Sequence, residues 1–80
     1  MTQFAVVKVD RYNVARSTTT IVEAQTLLEA YQKGLSSADL INDLSEEAME
    51  YYLSEFEINK DDTTKGGADF DEESHFVFSI

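Results

Sequence analysis

The spacing of apolar and polar positions predicts strands near both ends of the chain. In residues 3–11 small apolar side chains recur at alternate positions, which is the two-residue period of a strand. Residues 14–24 contain consecutive β-branched side chains at 18–22, which lose rotamer freedom in a helix and favour a second strand. Asn13 tolerates the backbone of a tight turn, so we predict that the two strands form a hairpin. Residues 74–80 alternate again and place three apolar side chains on one face, namely Phe76, Phe78 and Ile80.

A helix after the second strand has start and stop signals. Thr26 is followed three positions later by Glu29, which is the spacing of a capping box. In that motif the hydroxyl accepts from a backbone N–H and the carboxylate reaches back to the threonine N–H. We therefore predict a helix over residues 27–33. Gly34 follows and supplies the left-handed residue at which helices commonly end.

The middle of the chain carries a second helical pattern. Residues 37–50 have apolar side chains at helical spacing, and a separate helix that starts at Ser45, with two acids in its first turn, is the alternative. Residues 51–59 fit a continued helix or a strand, and their aromatic content and the alternation after Ser54 favour the strand. The apolar positions of the helical pattern are Leu40, Ile41, Leu44 and Ala48.

These elements give the order ββααββ within a single domain, residues 1–80. The predicted fold class is α+β, an antiparallel sheet of about four strands with one or two helices on one face. The last strand is expected to form a hairpin with residues 51–59 across the acidic loop 59–73, which contains Gly66 and Gly67. The second face of the sheet would be open to solvent or to a partner.

Charge adds a strong asymmetry to this fold. The chain has 80 residues with six basic and sixteen acidic side chains, a formal net charge of −10. Residues 1–35 hold four basic and three acidic side chains, whereas residues 36–80 hold two basic and thirteen acidic ones. Such a chain is expected to bind neither nucleic acid nor an anionic membrane directly, because phosphates would repel it. The lack of cysteine excludes disulfide scaffolds and zinc fingers.

The start of the chain carries no pattern of a secretory signal, and no apolar run approaches the length of a membrane span. We therefore expect a cytoplasmic protein.

Catalytic candidates are few. His75 is the single histidine, and it lies in the last predicted strand with only Ser74 and Ser79 as nearby hydroxyls. The sequence contains no phosphate-binding loop, dinucleotide fingerprint or metal-hydrolase helix motif. We predict that the protein is not an enzyme and that His75 is structural, exposed or a surface contact.

The acidic loop contains part of a calcium-binding pattern. Asp69, Asp71 and Glu73 have the spacing of the first three ligands of an EF-hand loop. That loop also requires a glycine at its sixth position and a glutamate at its twelfth, and these positions hold Ser74 and Ile80. The match fails, so we predict no metal and no cofactor.

The acidic second half is the main functional signal. Glu55 and Glu57 would point to the same side of a strand about 6.6 Å apart, which is of the same order as the rise between B-DNA phosphates. Rigidly held carboxylates can therefore occupy a groove that normally receives nucleic acid. Because Tyr51 and Tyr52 cannot both face inward from a strand, an exposed tyrosine is the expected interface anchor. The predicted partner-binding residues are Glu46, Glu47, Glu50, Tyr51, Glu55, Glu57, Asp61, Asp62, Asp69, Asp71, Glu72 and Glu73.

Residues 18–34 resemble a module of small phage and plasmid proteins. Their sequence, TTTIVEAQTLLEAYQKG, has a strand that ends in Val-Glu-Ala, a threonine that caps the next helix, and Glu-Ala in its first turn. Several anti-CRISPR proteins are built on a similar ββα core. The resemblance implies a phage-encoded inhibitor in the host cytoplasm that blocks a nucleic-acid site on a host protein. It transfers no functional residue, because the matched positions are structural.

Two functions follow from these observations. The first is a stoichiometric inhibitor whose acidic half docks on the basic groove of a nucleic-acid-binding host protein, such as a CRISPR effector or a restriction enzyme. The alternative is a small structural or regulatory subunit, such as a homodimer, that self-associates through the open sheet face or through residues 3–11 as an edge strand. The two differ in their salt dependence, because electrostatic binding weakens as salt rises and apolar packing does not.

Overall fold

A sheet covered on one face by two helices forms the core of the molecule. The computed structural model describes residues 2–37 and 45–80, and all statements of structure concern these residues. Within them the elements are β1 (Thr2–Asp10), a 3₁₀ turn (Val14–Arg16), β2 (Thr18–Ala24), α1 (Leu27–Leu35), α2 (Glu46–Glu55), β3 (Glu57–Ile58), β4 (Lys65–Asp69) and β5 (Glu73–Ser79). The predicted α+β class is confirmed, with order ββααβββ and a sheet of five strands rather than about four.

The strand order is β2-β1-β5-β4-β3, and every pairing is antiparallel. The predicted hairpin of β1 and β2 is confirmed, with Ala5 opposite Ile21. The predicted hairpin between residues 51–59 and the last strand is wrong, because β5 pairs with β1 and β4. The hypothesis that residues 3–11 form an edge is also wrong, since β1 has a strand on each side.

The second strand starts at Thr18, four residues later than predicted. In the connection between β1 and β2, short polar side chains accept hydrogen bonds from backbone N–H groups, so these residues do not join the sheet. The Asp10 carboxylate accepts from the N–H groups of Tyr12 and Asn13 at 2.9 and 3.0 Å. The Asn13 side chain then accepts from Ala15 N–H at 3.2 Å and starts the 3₁₀ turn. These local bonds offer the chain an alternative to the sheet ladder.

Helix α1 begins as predicted and ends later. Thr26 is its N-cap, and the Thr26 hydroxyl accepts from Glu29 N–H at 3.1 Å. The predicted stop at Gly34 is wrong, because the helix continues to Leu35 and Gly34 is buried inside it. A Cβ at Gly34 would lie only 2.5 Å from Val6 Cγ1 of β1. Glycine is therefore needed here for the close approach of helix and strand rather than for a left-handed turn.

Helix α2 begins where the alternative prediction placed it, directly after Ser45. Ser45 is its N-cap and accepts from Ala48 N–H at 3.1 Å. The preceding part of the predicted helix 37–50 falls on residues 38–44, which lie outside the described residues. The predicted strand over 51–59 is wrong, since the helix runs to Glu55 and only two residues of β3 follow. Packing decided the outcome: helically spaced apolar side chains contact the core, namely Met49, Tyr52, Leu53 and Phe56.

The predicted loop 59–73 contains β4, which sequence reasoning missed. Glycine is depleted in strands, so Gly66 and Gly67 indicated a loop. Both instead pair with β3 on one side and β5 on the other. A Cβ on Gly66 would lie 2.7 Å from the Glu57 carbonyl and 2.8 Å from the Phe56 ring, so this strand position excludes a side chain.

The core lies between the helices and one face of the sheet. Its buried apolar residues are Phe4, Val6, Ala24, Leu27, Ala30, Tyr31, Leu35, Ala68 and Val77. The other face is open, as predicted, and exposes Ile21, Phe76 and Phe78. In the described part of the chain no helix is long and apolar enough to cross a membrane.

Candidate partner-binding groove

A groove of about 500 Å³ lies between α2 and the turn that joins β4 to β5. Phe70 N–H donates to the Glu73 carbonyl at 2.8 Å and closes this turn. The Phe70 ring thereby contacts α2, with its centroid 5.6 Å from that of Tyr51 and 4.9 Å from that of Tyr52. The remaining lining residues are Lys8, Asp71, Glu72 and Glu73. The groove thus has aromatic walls and an acidic rim.

Tyr51 is the most exposed ring of the groove, at 56% of its surface, whereas Tyr52 is half-buried. The two tyrosines diverge because they are neighbours on a helix, not on the strand that we predicted. Glu47 and Glu55 lie four residues before and after Tyr51, which places them on the same side of α2. The predicted tyrosine anchor is therefore exposed and flanked by carboxylates.

A buried hydrogen-bonded chain lies under the groove. The Tyr31 hydroxyl is 2.5 Å from His75 Nδ1, and His75 Nε2 is 3.1 Å from the Glu73 carboxylate. The second Glu73 oxygen lies 3.3 Å from Lys8 Nζ. Because an ionised carboxylate can only accept, Nε2 carries the proton and Nδ1 accepts from Tyr31. Both rings are fully buried, so the prediction of an exposed or surface-contact His75 is wrong, and burial agrees with the structural alternative.

The same burial determines the protonation states of these hydrogen-bonded side chains and of Tyr52. Burial lowers the pKa of His75, and the nearby Glu73 carboxylate partly opposes that shift. Burial also raises the pKa of Tyr31 and, less strongly, that of Tyr52. His75 and both phenols are therefore neutral at pH 7. Both ring nitrogens of His75 have partners inside the protein, and the Glu73 carboxylate contacts both His75 and Lys8.

Within residues 2–37 and 45–80 no group of three or more His, Cys, Asp or Glu side chains is arranged to hold a metal ion. Two of the carboxylates with EF-hand spacing, Asp69 and Glu73, have different partners. Asp69 accepts from the Ser74 hydroxyl at 2.9 Å and lies 3.4 Å from Arg11 Nη2, whereas Glu73 points to His75.

The structure brings some predicted contact residues to the groove and leaves others away from it. Asp71 and Glu72 line the groove beside Tyr51, while Glu46, Glu47 and Glu50 are exposed on α2. Glu55 ends α2 and Glu57 lies in β3, so their predicted spacing along one strand is wrong.

Asp61 and Asp62 lie in the β3–β4 turn, at the opposite end of β4 from the groove. The four residue steps of β4 separate the two turns by about 13 Å. Asn59 accepts from both aspartate N–H groups at 2.8 and 3.2 Å. Hydrogen bonds from Thr64 lower the pKa of Asp62. These two carboxylates therefore belong to a separate acidic turn.

Sequence reasoning predicted the Tyr51 anchor but missed the contact of Phe70 with Tyr51 and Tyr52. Phe70 is the single apolar residue between Asp69 and Glu73, and that isolation was a usable signal for a buried anchor. Glu73 and His75 are two residues apart, which places them on one face of a strand. The contact of Tyr31 with His75 joins residues 44 positions apart, and no local pattern indicates it.

Comparison with known protein families, with curated proteins and with solved structures finds no match to this chain. Its function is therefore inferred from the geometry of the groove.

Proposed function

We propose that the protein is a non-enzymatic inhibitor that occupies the basic nucleic-acid-binding groove of a host protein. A CRISPR effector or a restriction enzyme is the class of partner we expect. The observation that carries the proposal is the exposed Tyr51 in a groove lined by the carboxylates of Asp71, Glu72 and Glu73, with further exposed carboxylates on α2. Tyrosine is enriched among interface hot spots, and the rim around such an anchor is polar.

The carboxylates of α2 support nucleic-acid mimicry by their spacing. Glu46, Glu47, Glu50 and Glu55 are exposed, and they make no ion pair within the described part of the chain. Nine helical steps of about 1.5 Å spread them over roughly 13.5 Å. One strand of B-DNA places about four phosphates over the same axial length, at about 3.4 Å each. The number and spread of charges are thus comparable.

The charge of the acidic half also favours fast association with a basic surface. Residues 45–80 hold eleven carboxylates against Lys60 and Lys65, a formal charge of −9. Such a field accelerates encounter and weakens as salt rises. Each exposed ion pair contributes about 1 kcal/mol or less, so the binding energy is spread over many carboxylates.

The test uses matched charge variants. The protein is immobilised, its partner is captured from host lysate and purified, and competition between the protein and a DNA or RNA ligand for that partner is measured. The variant Glu47→Gln with Glu50→Gln should bind the partner several-fold more weakly. The control Glu23→Gln with Glu29→Gln has the same charge change in the near-neutral half and should bind as the wild type does.

Competition decides the proposal. Nucleic acid should displace the protein from its partner, and the wild-type complex should dissociate as salt rises from low to physiological concentration. A partner that binds nucleic acid and this protein at the same time, each with undiminished affinity, overturns the mimicry.

A further inference from the structure

One edge of the sheet presents a row of outward-facing backbone groups. The Glu23 carbonyl of β2 faces away from β1, where it accepts from Lys33 Nζ at 2.6 Å. Gln3, which lies opposite Glu23, directs its carbonyl to the other side and accepts from Ile80 N–H at 2.9 Å. Backbone groups alternate in direction along a strand, so those of Thr19, Ile21 and Glu23 face outward. Among the described strands only β1 pairs with β2.

We propose that two copies of the chain pair through β2, antiparallel and centred on Ile21. In that register Ile21 of one copy lies opposite Ile21 of the second copy, and Thr19 lies opposite Glu23 in both directions. The three outward N–H groups and three outward carbonyls of each strand then bond to one another, which gives six hydrogen bonds. The two sheets become one continuous sheet with all helices on the same face.

The charge distribution favours a second copy as the occupant of this edge, because the paired strands would not repel each other. Glu23 is the single charged residue of β2, and in this register it meets Thr19 rather than another carboxylate. Strands β3 and β4 of the acidic half lie at the opposite edge of the sheet. Nine strand spacings of about 4.8 Å would separate the two β3 strands of the pair, about 43 Å in all. This distance is several times the screening length of about 8 Å at physiological salt.

The side chains of the edge also fit a second copy. Ile21 is 54% exposed on the open face, in line with Ala5 of β1 and Phe78 of β5. Pairing places the two Ile21 side chains in direct cross-strand contact and extends this apolar row. The strand TTTIVEA has no proline or lysine that would protect the edge. Lys33 can keep its contact with Glu23, because a carbonyl oxygen accepts two hydrogen bonds.

Hydrogen exchange distinguishes the outward amides from the inward ones within a single strand. The amides of Thr20 and Val22 point to β1 and should be protected at every protein concentration. The amides of Thr19, Ile21 and Glu23 should exchange fast in dilute protein and become protected as concentration rises. Sedimentation should show a monomer–dimer equilibrium over the same range. Exchange of the outward amides that does not depend on concentration, or a monomer up to millimolar concentration, overturns the proposal.

Two variants locate the contact. Thr19→Pro removes one outward N–H per chain and leaves the inward bonds to β1 in place, as prolines on edge strands do. We expect the dimer to dissociate at least about tenfold more readily, since two hydrogen bonds are lost. Phe76→Ser alters the open face at the central strand β5 and should leave dimerisation unchanged. A Thr19→Pro protein that dimerises like the wild type, or a Phe76→Ser protein that does not dimerise, overturns the edge pairing. If Thr19→Pro does not fold, the exchange experiment alone decides.

Discussion

The substitution Gly34→Ala tests how closely α1 approaches the sheet. At an exposed helix position, replacing glycine with alanine stabilises a protein by about 1 kcal/mol. At Gly34 the added methyl would lie 2.5, 2.7 and 2.8 Å from Cγ1, Cβ and Cγ2 of Val6. Carbon atoms pack best at about 3.5–4.0 Å. Because β1 has a strand on each side, this strand cannot move away from the helix. Overpacking costs about 1–3 kcal/mol, and three short contacts favour the upper end. We expect Gly34→Ala to lower the free energy of unfolding by about 2 kcal/mol net.

The assay is urea unfolding followed by circular dichroism, in the wild type and in Val6→Ala. The background substitution removes two of the three short contacts, so Gly34→Ala should there cost clearly less. A glycine that only terminated the helix would give the same loss in both backgrounds. Equal losses, or a Gly34→Ala protein more stable than the wild type, would refute the close approach of α1 and β1.

Four further outcomes follow from the structure. Thr26→Ala should lower unfolding free energy by about 1 kcal/mol in urea titration, because Glu29 N–H loses its acceptor. Tyr31→Phe leaves His75 Nδ1 buried without a donor and should cost about 1–3 kcal/mol, whereas Tyr51→Phe on the exposed side of α2 should cost little in the same titration. The folded chain keeps His75 neutral by lowering its pKa, while the unfolded chain binds a proton near pH 6.5. Stability should therefore fall below that pH, by at most about 1.4 kcal/mol per pH unit, in thermal unfolding across pH. Melting temperatures in millimolar calcium and in chelator should agree within a few degrees, and a large rise with calcium would contradict the prediction that the protein has no specific calcium site.

Features that depend on neighbouring residues were predictable from the sequence. Thr26 and Ser45 both cap helices, because a hydroxyl two or three positions before an amide can bond to it wherever the chain turns into a helix. The β-branched run in β2 and the alternation in β5 gave strands for the same local reason. The boundaries at Thr18 and Leu35 were missed, because turn bonds in one case and the contact of Gly34 with Val6 in the other decided them.

Features that depend on distant residues were not predictable in this way. Residues 51–55 carry both a helical and an alternating pattern, and the contact of Tyr52 with Phe70 favours the helix. Strand β4 exists because β5 and β3 pair with it, although Gly66 and Gly67 have low strand propensity. The sequence therefore identified acidic residues of the candidate site and the Tyr51 anchor, but not the groove. The aromatic walls come from α2 and from the turn before β5, which only the folded chain brings together.

The order of the strands keeps the two proposed interactions apart. Edge β2 belongs to the near-neutral half, whereas the groove is lined by residues of α2, of the β4–β5 turn, of β5 and of β1, and by no residue of β2. Pairing through β2 would therefore cover neither groove, and loss of the pairing would leave each groove intact. A dimer would hold two acidic grooves tens of ångströms apart on one rigid sheet. A partner with two basic sites at a matching distance would then gain avidity without a new contact. Comparing Thr19→Pro with the wild type would reveal such avidity as a weaker apparent affinity with unchanged salt dependence.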